Sequence, residues 1–117
     1  MALSFEITST PGCAILSLKG RIITDEYLSE IIAQVENGIL QGTNNWVYEL
    51  SQLEYCNSIG LNLLVRTLTK ARNAGGDCVL VNLQPGVKKL FELSKLNQIF
   101  TAFDSLDEAK ARYNTIE

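Results

Sequence analysis

Ser58 is the residue of this chain whose type and setting most suggest chemistry. It lies in "LEYCNSIGLNLL", Leu53 to Leu64, between a strand-like run ending in Tyr55-Cys56 and a run with helical spacing. A hydroxyl at such a joint can cap the helix, accept a phosphoryl group or act as a nucleophile. The last role needs an adjacent base. The chain has no histidine, the commonest general base at neutral pH and the commonest metal ligand. A Ser-His-Asp triad and a His-based zinc site are therefore excluded. Lys70 lies too far along the same helix to serve Ser58. An enzyme is thus a poor expectation.

The other reactive types point to structure. Cys13, Cys56 and Cys78 are odd in number, widely spaced and form no CxxC. Each sits in an apolar, strand-like context and reads as a reduced core cysteine. Asp104, Asp107 and Glu108 fall near a helix start and do not form a calcium loop, and no Gly-rich phosphate-binding motif occurs. No cofactor or metal is expected. A net charge of -3 with scattered Lys and Arg argues against a nucleic-acid surface. Lys88-Lys89 reads as a solvated face.

These residues need a scaffold, and 117 residues that are 46% hydrophobic and 20% charged suffice for one domain, residues 1–117, with its own core. Leu3, Phe5 and Ile7 alternate with polar residues as a half-buried strand. Pro11-Gly12 marks a turn, and "CAILSL" from Cys13 makes a second strand closed by Gly20-Arg21. Thr24 predicts a helix cap with Asp25 and Glu26 in the first turn, followed by Leu28, Ile31, Ile32, Val35 and Ile39 at helical spacing. Trp46–Leu50, "WVYEL", is apolar on both faces and reads as an inner strand, with Ser51–Glu54 as a link. From Ser58, Leu61, Leu64, Val65, Leu68 and Ala71 form one stripe, which Gly75-Gly76 ends. "CVLV" from Cys78, a helix opening at Pro85, a strand "QIFTAF" over 98–103 and a capping box of Ser105 with Glu108 complete the order. Helices alternating with strands predict an α/β domain with a mostly parallel sheet of four to five strands, an antiparallel edge strand and about four helices.

The segments "ILSLKGRI" and "WVYELSQLEYCNSIGLNLLVRTLTKARNAGGDCVLVNLQPGVKKLFELSKLNQIFTAFDSLDEA" together resemble the STAS domain, and in particular the bacterial anti-sigma factor antagonists. The markers are Gly20, Glu49 at the end of the third strand, Ser58 to Leu61, the Gly75-Gly76 turn, and Asn82-Leu83 with Val87. The resemblance implies a non-enzymatic protein that binds an anti-sigma factor and frees the sigma factor. In the family the anti-sigma factor is an ATP-dependent serine kinase that phosphorylates the first Ser of an Asp-Ser-Ser/Thr-Gly motif, and a serine phosphatase reverses the step. By position the acceptor is Ser58. Asn57 replaces the family Asp, Ile59 the second Ser/Thr, and Glu49 the strand-ending Asp. The departures favour the alternative of a STAS scaffold or transporter-associated subunit that is not phosphorylated.

The expected partner surface comprises Arg21, Thr24, Asn57, Ser58, Ile59, Gly60, Leu63 and Arg66. Ile59, Leu63 and Arg66 lie along one flank of the Ser58 helix, where the two apolar residues read as core margin or as a docking strip. Arg21 could pair with a partner carboxylate, and the loop of Thr24 lies near the acceptor in the family. "MALSFEI" lacks the pattern of a signal peptide, and no run approaches the ~20 apolar residues of a membrane span. Cytoplasmic location is the expectation.

Overall fold

The computed structural model describes residues 3–10 and 12–114. Pro11 of the expected turn and both ends of the expected 1–117 domain lie outside the described residues. The elements are β1 (Ser4–Thr10), β2 (Cys13–Ile22), α1 (Leu28–Leu40), β3 (Asn45–Cys56), α2 (Ser58–Asn73), β4 (Asp77–Val81), α3 (Pro85–Leu93), β5 (Ala102–Phe103) and α4 (Leu106–Asn114). The sheet runs in chain order from β1 to β5. β1 is antiparallel to β2, and the other pairs are parallel. This is the α/β fold the periodicity predicts.

Alternation along β3 explains why its sequence is apolar on both faces. Trp46, Tyr48, Leu50 and Leu53 enter the main core beneath α1, α2 and α3. Val47 points the other way and meets Ile15, Val79, Ala109 and Tyr113 under α4. All three cysteines are free and buried. Burial pushes the Cys56 thiol up to about 11, so it stays protonated at neutral pH and is a poor nucleophile.

Tyr48 carries the one phenol deep in the main core. Thr67 Oγ1 donates to Leu63 O at 3.1 Å, which leaves the Tyr48 hydroxyl as donor in its 2.7 Å bond to Thr67. Thr67→Val should cost about 1–3 kcal/mol in a denaturant titration, because it leaves a buried hydroxyl without an acceptor. Adding Tyr48→Phe should recover much of that loss. A double variant no better than Thr67→Val would show that the bond is not the source of the cost.

Several expected boundaries move, each for a tertiary reason. β2 continues to Ile22, because Gly20, at φ 95, bends the strand at a register shift instead of ending it. The link expected over Ser51–Glu54 is part of β3, which absorbs extra residues at two irregularities facing β2. Glu49 Oε1 accepts the Ser51 N–H at 2.7 Å there, replacing a ladder bond. α1 starts at Leu28 and not after Thr24, since Tyr27 is left-handed at φ 67. Thr24 Oγ1 accepts from Glu26 N at 3.3 Å, which makes a local turn. The strand expected over 98–103 shrinks to Ala102–Phe103 behind a helical turn at Leu96–Gln98. Phe100 is instead buried edge-on against Phe91, with ring centroids 5.9 Å apart.

Candidate functional site

β2 and β3 end together, with Arg21 opposite Tyr55 and Ile22 opposite Cys56. Asn57 carries the ladder one step further, its N–H donating to Ile22 O at 3.1 Å. It is also the N-cap of α2, accepting the Ile59 N–H on Oδ1 at 3.0 Å. Asn57, and not the Ser58 hydroxyl, thus takes the capping role. Ser58 is therefore free of it: it is the first residue of the helix and is exposed. Its hydroxyl makes no hydrogen bond among the described residues.

The helix can start this close to the strands because residue 60 is glycine. A Cβ there would lie 2.7 Å from Cys56 Cβ and 3.1 Å from Ile22 Cβ. Gly60 is buried, so it shapes the site from beneath. The first turn of α2 holds no acidic side chain. Its unpaired N–H groups and the positive end of the helix dipole thus lie at an exposed hydroxyl with no acidic residue in the helix's own first turn. Such an end tolerates added negative charge.

The remaining expected residues divide. Thr24 and Arg66 are exposed, and Ile59 is half-buried against the main core. Arg21 stacks on the ring of Tyr55, its guanidinium carbon 5.2 Å from the centroid. Leu63 does not belong to an exposed flank: at 2% exposure it is part of the core. The buried face of α2 is wider than the expected stripe, running through Gly60, Leu63, Leu64, Thr67, Leu68 and Ala71. α2 packs on α1 as well as on β3 and β4, so two adjoining flanks are covered.

The structure also exposes apolar residues that the sequence did not single out. Ile23, Tyr27 and Tyr55 are 52%, 42% and 44% exposed around the ends of β2 and β3. A groove of about 210 Å³ between the end of β3 and α3 is lined by Tyr55, Val87, Leu90 and Leu93 with Glu54 and Lys89 at its edge. The only sequence signal for Ile23, Tyr27 and Tyr55 was their place next to predicted element ends, where an apolar residue is normally assigned to the core.

Lys70 pairs with Glu36 at 2.8 Å and stands roughly 18 Å along α2 from Ser58, at 1.5 Å per residue. No group of three or more His, Cys, Asp or Glu that could hold a metal occurs among the described residues. A concavity of about 550 Å³ between Ser51, Asn82, Gln84, Lys88 and Asp104 contains none of the expected site residues. No helix among the described residues is long and apolar enough to cross a membrane.

Known proteins resemble this chain in sequence and in fold. BtrV of Bordetella bronchiseptica, whose description is that of an anti-sigma factor antagonist, is 28% identical over 104 residues, 89% of each chain. The structure of the anti-sigma factor antagonist SpoIIAA in its unphosphorylated form superposes with a TM-score of 0.83 at 22% identity, covering 97% of this chain and 99% of that one. Bacillus SpoIIAA in its phosphorylated form superposes with a TM-score of 0.74 at 22% identity, over 93% and 98% of the two chains. The sequence model of the STAS domain matches residues 4–109, which include every strand and the whole Ser58 helix, and the chain therefore belongs to the STAS domain family.

Proposed function

We propose that this chain is an anti-sigma factor antagonist that binds an anti-sigma factor through the surface around Ser58. The anti-sigma factor, as an ATP-dependent serine kinase, transfers a phosphoryl group to Ser58 and so ends the complex. A serine phosphatase restores it. The chain itself performs no catalysis and acts in the cytoplasm. The observation that carries this reading is the division of labour at the α2 N-terminus: Asn57 caps the helix, so Ser58 offers an exposed hydroxyl that the fold does not need. A phosphate there adds about -1.5 to -2 charge, which the helix end accommodates. A partner surface packed on Ile23, Tyr27 and Tyr55 would have to desolvate it. BtrV's description and the shared fold of SpoIIAA in both its forms agree with this reading.

Incubation with the anti-sigma factor kinase and ATP should add one phosphate, located at Ser58 by mass spectrometry and absent from Ser58→Ala. Ser58→Asp should weaken binding at least about tenfold, or ~1.4 kcal/mol, with a native circular dichroism spectrum. Undiminished affinity of Ser58→Asp would remove Ser58 from the interface.

A second reading, a constitutive scaffold or transporter-associated subunit, is favoured by Asn57. With an amide at this position and no acid in the first turn, no carboxylate orients the Ser58 hydroxyl. Binding without phosphorylation, under conditions that modify a relative, would select this reading.

A further inference from the structure

We propose that Asn57 is a positioning residue for docking: its side-chain amide straps the loop of residues 23–27, with its exposed Ile23 and Tyr27, to the start of α2. The proposal rests on the reading of this edge as the partner surface. The side chain has two different jobs. Oδ1 accepts from Ile59 N at 3.0 Å, and Nδ2 donates to Ile23 O at 3.2 Å. An N–H only donates and a carbonyl only accepts, so the two partners fix which way the amide points.

The loop has little else to hold it. All five of its residues are exposed. Its own bonds are short-range: Glu26 N to Thr24 Oγ1 at 3.3 Å, and Leu28 N to Asp25 O at 3.2 Å. Tyr27 is left-handed at φ 67, a conformation that costs a non-glycine residue energy unless its surroundings over-determine it. Among the described residues, the Asn57 amide makes the one hydrogen bond from this loop to an element other than α1. A loop already held in its docking form loses less freedom on binding.

Of the favoured cap residues, asparagine alone carries a separate donor and acceptor on one side chain. Asp and Ser cap a helix as well, but an ionised Asp has no hydrogen to donate, and Ser would have its one oxygen facing Ile59 N. An Asp at this position would therefore lack this strap at neutral pH. The Asn57 amide is, in this chain, a neutral latch between the loop and the start of α2.

The test uses the full chain carrying Asn57→Asp or Asn57→Ser, both cap-competent. Hydrogen exchange followed by NMR should show the Glu26 and Leu28 amides opening about tenfold faster in both variants, with α2 amides beyond Leu61 unchanged. In Asn57→Asp, lowering the pH through the carboxylate range of about 4 should return the Ile23 carbonyl shift toward the parent value, because the protonated carboxyl regains a donor. Asn57→Ser should show no such return. Parent-like exchange in both variants would reduce Asn57 to a cap and overturn the strap. With an anti-sigma factor that the parent chain binds, both variants should lose at least threefold in affinity. Equal affinity despite a loosened loop would overturn the positioning role. A parent chain that binds no anti-sigma factor would fail the functional reading alone, since exchange in the free chain judges the strap independently.

Discussion

Leu63→Glu is expected to abolish the cooperative unfolding transition of this chain. Leu63 is 2% exposed in the main core, and its carbonyl holds Thr67. Removing a buried leucine side chain costs about 2–5 kcal/mol. An unpaired carboxylate in its place adds several kcal/mol, or protonates and leaves a buried polar group. Against a domain stability of about 5–15 kcal/mol, the sum removes most or all of the fold. Thermal melting by circular dichroism is the measurement, with Leu63→Met as control, expected to lose less than about 1.5 kcal/mol. A native melt combined with lost partner binding would restore Leu63 to the docking strip that spacing alone suggested.

The second large effect comes from one type of residue, with opposite signs at two places. Gly60→Val should destabilise by about 3 kcal/mol or more, read as a shift in denaturant midpoint. Its Cβ would sit 2.7 Å from Cys56 Cβ and 3.1 Å from Ile22 Cβ, and neither strand end can retreat without breaking the pairing that carries Asn57. Overpacking of a tight core typically costs about 1–3 kcal/mol, and the β-branched methyls exceed that single added atom. Gly60→Ala gains about 1 kcal/mol of helix propensity and should still lose stability on balance. Gly86, in the first turn of α3, has nothing within 4 Å of an added Cβ. Gly86→Ala should therefore stabilise by about 0.5–1 kcal/mol. A stable Gly60→Val would show that α2 can lift from the strand ends, and with it that Ser58 is not rigidly placed.

The place of Ser58 at the start of α2 was legible because its signals are local. A strand run, a capping residue and a 3.6-residue apolar period meet within "LEYCNSIGLNLL". The α1 boundary was missed for the opposite reason. Thr24, Asp25 and Glu26 satisfy every local rule for a helix start, yet the chain turns once more at Tyr27 before Leu28 can reach the core. β3 was cut short at Leu50 because irregularities in a strand answer to the register of its neighbour, which no single segment encodes. Leu63 was misplaced because a stripe one flank wide suits a helix with one neighbour, and α2 has both the sheet and α1.

The sequence by itself determined the order of strands and helices, the antiparallel edge, the buried cysteines, the absence of histidine chemistry and the position of Ser58. Those follow from periodicity, turn residues and composition, which are properties of the chain read locally. Only the tertiary structure decided that Asn57 and not Ser58 caps α2, that Leu63 is core, and that Ile23, Tyr27 and Tyr55 stay exposed. Each depends on which distant backbone groups and side chains arrive at the same edge of the sheet, and hydrogen-bond partners and burial exist only once they do.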